Sequence, residues 1–505
     1  MTILGISAGF HDAAVSVVDE TTGAILFAGH SERYSKHKHD SHLCEPLMRE
    51  ALSYGDPSIV SYYERPWVKK TRQLYAGQWS DAVDMSDLTV QRYLSKHCPA
   101  VKLDSKVKFQ YHNHHLSHVA AAFQTSPFDR ATVVVIDAIG EWDTISIYGA
   151  QTNRDGTVKY AKLWGKHYPH SIGLLYSAMT ERVGLKPLDE EYILMGMAAY
   201  GTPIYLPTLR RDLVYDFGEL EMKHNLHCGL NSEYQSFTRD VEQNNFDLAA
   251  STQLLTEELI NNVMFKAAEL KWSSNLVFTG GVALNCSANR HLGKWFDNIW
   301  IMPNPGDAGS SLGAAAMSFK KKLQWDGPYL GTNIDSPYPV AALIEQLSVN
   351  KIVGVASGRA EFGPRALGNR SLLADPRGGD IKDKVNEIKR RQKFRPFAPV
   401  ILEEFMDHYF AMPSRWNSSP YMQVTAPCLR PDAFPAIIHA DGTSRVQTVA
   451  KDCKSGIRQL LEQWYKKTGC PMLLNTSLNI RGEPMVNDRS DADRFQDLYN
   501  VTVIS

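Results

Sequence analysis

Alternating apolar and polar positions open the chain. ILGISAGFHDAAVSVVD reads as two strands around a Gly-containing turn, and GAILFAGHSERY supplies a third, so a meander is predicted. A charge-rich region of helical spacing follows to about residue 100. KVKFQYHNHHLSHVAAAF then changes from strand alternation to helix spacing at its histidines. ATVVVIDAIG is a strong strand that meets a turn at Gly140, and DTISIYGA is its antiparallel partner. Residues 247–270 carry the spacing of one long amphipathic helix, and LVFTGGVALNCSANRHL reads as strand, Gly-Gly turn and helix. Two meanders, each followed by helices, predict a duplicated half, although no residue-level repeat accompanies it. Lys, Gly and Pro concentrate in KKKLQWDGPYLGTNIDSPYP, residues 320–339. The expected division is a domain over 1–325, a linker over 326–338, and a second α/β domain over 339–505, which KIVGVASG opens.

Composition narrows the function classes. At 505 residues the chain has room for more than one core. Lys and Arg total 54 against 55 for Asp and Glu, so no global field draws it to nucleic acid or anionic lipid. The seven cysteines (Cys44, Cys98, Cys228, Cys286, Cys428, Cys453, Cys470) are scattered without a CxxC, which fits reduced thiols in a cytoplasmic protein. The N-terminus places His11 and Asp12 inside its apolar stretch and reads as a strand, not a signal peptide. No apolar run reaches membrane-spanning length, so no membrane partner is expected.

The candidate chemistry begins at YHNHHLSH. Residues four apart share a helix face, so His114 and His118 suit one ion; His115 and His118, three apart, are the rival pair. Two histidines rarely complete a site, and Asp137, ending VVVID, and Asp307, in PNPGDAGSSLGAA, are candidate carboxylates. The loops DAIGEWDT, FTGGVALN and GDAGSSLGAA each set glycines beside a strand end or helix start, where backbone N–H groups can approach a phosphate. Three in one domain favour a nucleotide. EFGPRALGNRSLLADPR carries Arg365 and Arg370, and IKRRQKFRPFAP adds Lys389, Arg390, Arg391, Lys393 and Arg395. Guanidinium forks match phosphate oxygens. Arg390, Arg391 and Lys393 read as a solvated face, whereas Arg395, among prolines and aromatics, reads as partly buried and in need of an anion. Arg445 in DGTSRVQTV and Asn475, Thr476 and Ser477 in LLNTSLN offer further donors. Cys286 in LNCSAN reads as packing.

ILGISAGFHDAAVSVVD, HHLSH, DEEYILMGMAAYG, FTGGVALNCSANRHL, EFGPRALGNRSLLADPR, FRPFAP, DGTSRVQTV and NTSLNIRGEP, in that order, resemble the O-carbamoyltransferases of the NodU and CmcH type. The resemblance spans nearly the whole chain. It implies an actin-like (ASKHA, duplicated RNase H-like) N-terminal domain followed by a YrdC-like α/β C-terminal domain. It implies His114, His118, Asp137 and Asp307 as ligands of a divalent metal, iron being the expected ion. A nucleotide would lie beside it, at Gly140, Gly280, Gly281, Asn285, Gly309 and Ser310. His11 and Asp12, the family's HD pair, would lie near the reacting carbamoyl group, where His11 either takes the proton of an acceptor hydroxyl or merely caps a turn. Arg365, Arg370, Lys389, Arg395, Arg445, Asn475 and Ser477 would bind carbamoyl phosphate and ATP, the latter with Mg2+. Carbamate formed there would attack ATP to give carbamoyl adenylate, which passes by an enclosed path to the N-terminal site for transfer to a hydroxyl. Three departures from the family pattern stand at Ser31, where the family usually has a glutamate, at Ile193, where it has a lysine, and, more mildly, at Leu478.

Two other readings compete. A sugar kinase or ATPase of the actin-like class would use the Gly loops alone, leaving the arginine-rich half unexplained. A non-catalytic nucleic-acid-binding or regulatory protein would need a basic aromatic face, for which ERPWVKKTRQLYAGQW is the best stretch. Trp67, Lys69, Lys70, Arg72 and Tyr75 would there meet a sugar, an antibiotic or a hydroxymethylated pyrimidine in a nucleotide or polynucleotide. Nucleic acid thus stays open as an acceptor, and a homodimer stays open.

Overall fold

The computed structural model describes residues 1–227, 229–230 and 242–505. Its first sheet is the expected meander of β1 (Thr2–Ser7), β2 (Ala14–Asp19) and β3 (Ile25–His30), widened beyond β1 by β4 (Pro57–Tyr62) and β5 (Lys108–Tyr111). The order is β3-β2-β1-β4-β5, antiparallel through the meander and parallel from β1 outward. A second meander follows in β6 (Arg130–Gly140), β7 (Asp143–Thr152) and β8 (Val158–His167). After a small hairpin of β9 (Val214–Asp216) and β10 (Glu221–Met222), β11 (Asn275–Thr279) and β12 (Asn298–Trp300) add in parallel beside β6. Read from its meander edge this sheet is β8-β7-β6-β11-β12, the same order and directions as the first. The duplication is therefore topological: the repeated RNase H-like order expected of an actin-like domain, without a repeated sequence. The long helix, expected over 247–270, spans Glu242–Glu269.

One helix joins the two sheets. Ser310–Phe319 is rich in small residues, SSLGAAAMSF. A Cβ on Gly313 would stand 1.8 Å from the Ser117 carbonyl oxygen, and one on Gly5 in β1 would stand 1.9 Å from that of Ser311. Here glycine permits backbone-to-backbone contact with both β1 and the His114–Thr125 helix. Gly313→Ala is accordingly expected to cost about 1–3 kcal/mol through overpacking, read as a lower urea midpoint at unchanged slope.

The C-terminal half carries β14 (Ile352–Ala356), β16 (Arg370–Ala374), β17 (Ala398–Leu402), β18 (Val424–Pro427), β19 (Thr443–Val449), β20 (Met472–Ser477) and β21 (Val503–Ile504), preceded or interrupted by β13 (Tyr329–Ile334) and β15 (Gly358–Glu361). The seven-stranded mixed sheet runs β18-β19-β17-β20-β16-β14-β21 around its own core, with Trp464 fully buried. The stretch 326–338, expected as a linker, instead contains β13, which pairs antiparallel with β15. Its YLGTNI forms a strand because β15 offers it a ladder, which the surrounding Gly and Pro conceal in sequence. Contacts also cross back to the first half: Arg359 donates to the Leu26 carbonyl at 2.6 Å, Arg33 to that of Gly363 at 3.0 Å, and the Tyr34 and Thr332 hydroxyls meet at 2.7 Å.

Among the described residues no helix is long and apolar enough to cross a membrane. Cys44, Cys98, Cys286, Cys428, Cys453 and Cys470 are unbridged, and Cys228 lies outside the described residues.

Candidate functional site

Asn113 caps the His114–Thr125 helix, its Oδ1 accepting from the Leu116 amide at 3.0 Å, and this fixes where the histidines emerge. His114 and His118 lie one turn apart on the buried face, with their Nε2 atoms 3.1 Å from each other. Asp307, just before the Ser310–Phe319 helix, sets Oδ1 3.2 Å from both nitrogens. Asp137, from β6, sets Oδ2 3.3 Å from His114 Nε2 and 3.8 Å from His118 Nε2. One atom from each of the four residues lies within 4.8 Å of the others, and all four residues are buried.

The donor set fits a metal ion. With bonds of about 2.0–2.2 Å, ligand atoms of a four-coordinate ion stand about 3.4 Å apart, close to these spacings. Asp307 Oδ1 is buried yet accepts no well-aligned hydrogen bond, so its lone pairs lack a partner. Burial works against a charged His114, but Asp307, Asp137 and Glu64 raise it well above the ordinary imidazole range. The carboxylates thus demand a cation, and a divalent ion supplies that charge as well as protons do. Surrounding bonds hold the set in register: His118 Nδ1 meets the Pro305 carbonyl and Ser310 Oγ, each at 3.1 Å, and Asp137 Oδ1 accepts from the Gly281 amide at 3.2 Å. His115 turns away to Ser146 Oγ at 2.8 Å, and His112 to Ser318 Oγ at 3.2 Å.

His11 and Asp12 stand beside this cluster. His11 Nδ1 is 3.0 Å from Asp12 Oδ2, and its Nε2 is 3.8 Å from Asp307 Oδ2. Burial opposes the charged ring, but Asp12 and Asp307 raise His11 to about 9.

A cavity of about 290 Å3 starts here, lined at one end by Asp12, Glu32 and Asp307 and at the other by Arg365, Arg395 and Arg445. Lys389 and Arg391 also line it. None of these five cations has a carboxylate within ion-pair distance among the described residues. Burial, then Arg445, pushes Arg365 down; burial, then Arg391 and Arg395, pushes Lys389 well down. Crowded cations without acids make an anion site.

Several expectations need correcting. Arg370 is fully buried, lies outside the cavity lining, and gives its guanidinium to the carbonyls of Asn487, Ser357, Asn369, Thr332 and Gly358. It frames the fold. Asn475 likewise spends its amide on Ala366 O and Gln447 Oε1, while its neighbours Thr476 and Ser477 reach the cavity. Arg391 is not on a solvated face: it stacks on Phe397 at 4.1 Å and donates to Asn386 Oδ1 at 2.8 Å. Arg390 and Lys393 are exposed.

None of the six expected nucleotide residues lines this cavity. A Cβ on Gly140 would meet the His114 ring at 2.4 Å, one on Gly280 the Ile136 carbonyl at 2.3 Å, and one on Gly309 the Asn304 carbonyl at 1.9 Å. These glycines make room for protein. Gly281 and Ser310 hold Asp137 and His118 as described above, and Asn285 caps the Cys286–Asn289 turn. Cys286 is buried beside Met195. Of the departures, Ser31 is buried and donates to the His42 carbonyl, and Ile193 is buried in the core; neither lines the cavity. The basic aromatic stretch also comes apart. Arg72 is buried and Lys69 pairs with Glu64 at 2.9 Å, leaving Trp67 and Tyr75 exposed without them.

Sequence reasoning passed over Glu64, His39, Asp189 and His439. Asp189 opens the DEEYILMG motif, His39 sits in the histidine-rich KHKHD, and His439 lies two residues before DGTSR, so each stood next to a visible signal.

Four buried metal-ligating side chains and a cluster of cations without carboxylate partners thus lie close together around one cavity. The chain belongs to the carbamoyltransferase family: its residues 53–316 match the carbamoyltransferase N-terminus and 344–504 the carbamoyltransferase C-terminus. It is similar to the nodulation protein NolNO of Sinorhizobium fredii, 31% identical over 95% of this chain and 76% of that one. It is also similar to a 3′-hydroxymethylcephem-O-carbamoyltransferase of Amycolatopsis lactamdurans, 27% identical over 97% and 95%. Among solved structures it is distantly similar to the ADPNP-bound activator of 2-hydroxyisocaproyl-CoA dehydratase from Clostridium difficile. That match has 11% identity and a TM-score of 0.34, over 63% of this chain and 94% of that one. The kinase and the non-catalytic readings are set aside by the family.

Proposed function

We propose that the enzyme is an ATP-dependent O-carbamoyltransferase working in two steps, the first in a YrdC-like C-terminal half. The observation that carries this reading is one cavity lined both by cations without carboxylate partners and by Asp307, through which the buried His–Asp cluster borders it. At the cationic end, water attacks the carbonyl carbon of carbamoyl phosphate and phosphate leaves. The carbamate oxygen then attacks the α-phosphorus of ATP, whose Mg2+ travels with it, and displaces pyrophosphate. Arg365, Arg395 and Arg445 bind and neutralise the phosphates. Carbamate decomposes in water, so having both steps share one cavity shortens the path it and carbamoyl adenylate must travel.

At the other end an acceptor hydroxyl attacks the carbonyl of the adenylate, and AMP leaves. His11 Nε2 takes the hydroxyl proton, with Nδ1–H held by Asp12. His114, His118, Asp137 and Asp307 would hold a divalent ion, iron by the family resemblance, which supplies Lewis-acid charge and offsets the carboxylate field on His11. The acceptor is a small molecule such as a sugar or antibiotic, or a hydroxymethylated pyrimidine in nucleotide or DNA.

Incubation with ATP and carbamoyl phosphate tests the first step: pyrophosphate and carbamoyl adenylate, with AMP from hydrolysis of the adenylate, are expected, and ADP would overturn it. An acceptor panel of sugars, nucleosides and hydroxymethylated DNA tests the second. Arg395→Ala is expected to lower carbamoyl-phosphate-dependent pyrophosphate exchange roughly 100-fold, since it removes a preorganised donor for phosphate charge.

A further inference from the structure

His39, which takes no part in the two steps, lines the same cavity and reaches two carboxylates. Its Nδ1 lies 2.7 Å from Asp12 Oδ1, and its Nε2 lies 2.9 Å from Asp189 Oδ1. The second contact is an ion-pair approach, not a well-aligned hydrogen bond. A carboxylate offers only lone pairs, so a ring nitrogen at either distance carries a proton. Two such nitrogens on one ring make an imidazolium.

The other oxygen of Asp12 belongs to His11, at 3.0 Å from Nδ1. Asp12 is therefore a carboxylate gripped between two imidazoles, His11 on the reacting side and His39 behind. The chain reads Asp189, His39, Asp12, His11, Asp307, alternating acid and imidazole.

The backbone is bent to make this meeting. Asp12 has φ 53° and His39 has φ 55°, both left-handed conformations that ordinary residues avoid. Two turns are fastened to each other so that these strained residues face: Gly9 N–H donates to the Ser41 carbonyl at 2.8 Å, and Ala13 N–H to that of Asp40 at 2.7 Å. The His39 amide itself donates to Glu32 Oε2 at 2.9 Å.

We propose that His39 is a positioning residue, an imidazolium counter-ion that holds Asp12 and so fixes which nitrogen of His11 faces the reacting centre. With Asp12 anchored from behind, His11 keeps its proton on Nδ1 and presents Nε2 toward Asp307 and the acceptor. Without the anchor, Asp12 is free to turn and His11 loses the hydrogen bond that orients its ring. Asp12, Asp189 and Glu32 face His39 with negative charge, against one opposing cation, Lys38, whose Nζ binds the same Asp189 Oδ1 at 2.6 Å. His30 stays neutral because burial and Arg33 push it down to about 3. Burial opposes charge on His39 itself, yet Asp12 and Asp189 raise it to about 10. Asp12, Glu32 and His39 also stand close enough for a cation, but both ring nitrogens of His39 already face carboxylates.

The proposal rests on His11 as the proton acceptor, and its first test needs no acceptor molecule. Full-length protein labelled with nitrogen-15 in its histidine rings is examined by long-range proton–nitrogen NMR near neutral pH, with His11→Gln and His39→Gln spectra assigning the two rings. The expected result is a doubly protonated His39 and one set of His11 ring signals, with its Nδ1–H protected from exchange by Asp12. In His39→Gln the His11 signals should split or broaden and lose that protection, and His39→Lys, which restores a cation, should bring back the single protected set. A neutral His39 in the parent protein, or an unchanged His11 in His39→Gln, overturns the proposal. Should His39→Gln fail to fold, Asp189→Asn reads the same effect from outside the pair.

The second test is kinetic. With a hydroxyl acceptor from the panel, His39→Gln should lower kcat for transfer roughly 10- to 100-fold, the usual range for a residue orienting a catalytic group. KM should hold, and pyrophosphate exchange should be unchanged. An equal fall in exchange would mark a merely structural role and overturn the assignment. If the parent protein makes ADP, the two-step reading fails while the NMR result still decides the His39–Asp12 arrangement.

Discussion

His118→Ala is expected to end carbamoyl transfer while leaving pyrophosphate exchange within a few-fold of the parent. The histidine contributes one of four converging donors, 3.2 Å from Asp307 Oδ1 and 3.1 Å from His114 Nε2, and is backed by Pro305 and Ser310. Losing it leaves three donors and two buried acids sharing one imidazole. Metal content, measured by elemental analysis of purified protein, should fall with it, and transfer by roughly 1000-fold or more, on the order of the charge stabilisation removed. The arginine end has its own charges and its own hydrogen bonds, so the first step should survive. His115→Gln is the control. His115 sits on the same helix but faces Ser146, so metal content should hold. Equal loss of both steps in His118→Ala would undo the division of labour between the two ends.

Arg370→Met is expected to cost stability before it costs chemistry. The guanidinium satisfies five backbone carbonyls drawn from four separate segments, and no water can replace it at zero exposure. The acid Glu361 mirrors it: Oε1 accepts the amides of Leu367, Asn369 and Arg370 at 2.8, 2.8 and 3.2 Å. Together the two buried charges tie the loop that presents Arg365. Removing one strands the other and leaves carbonyls unpaired, a loss of about 3–5 kcal/mol. Lysine should not rescue, having one point charge where a planar fork is used. Thermal unfolding and the yield of soluble protein measure it. A normal unfolding midpoint with lost pyrophosphate exchange would return Arg370 to the ligand site.

That arginine also marks where reading the sequence stopped working. EFGPRALGNRS was visible as a motif, and so was its anion-binding use, but spacing alone does not say that Arg365 points into the cavity while Arg370 points into the protein. The difference is made by carbonyls of residues 332 and 487, far away in the chain. The His114, His118, Asp137 and Asp307 grouping was legible because helix periodicity pairs the histidines and strand ends and turns commonly present acids. The glycines were legible as special positions, but not the reason: their missing Cβ atoms accommodate the His114 ring and neighbouring backbone. In the fold, the first meander and the first two strands of the second could be read from their apolar patterns. β4 was hidden in PSIVSY, whose polar and apolar residues are all buried or half-buried, and β8 in VKYAKLWGKH, a sheet edge whose exposed charges mask its period.

β13 bears on how relatives can be recombined. Its position in the chain invites a splice anywhere in 326–338, yet this strand pairs with β15, while Thr332 meets Tyr34 and the following segment meets Leu26 and Gly363's partner Arg33. A chimera joined inside that stretch would set one parent's β13 against another parent's β15 and first sheet. Crossovers placed beyond β15 would carry the strand, its ladder and its contacts as one inheritance, at the cost of taking Arg365's loop from the other parent.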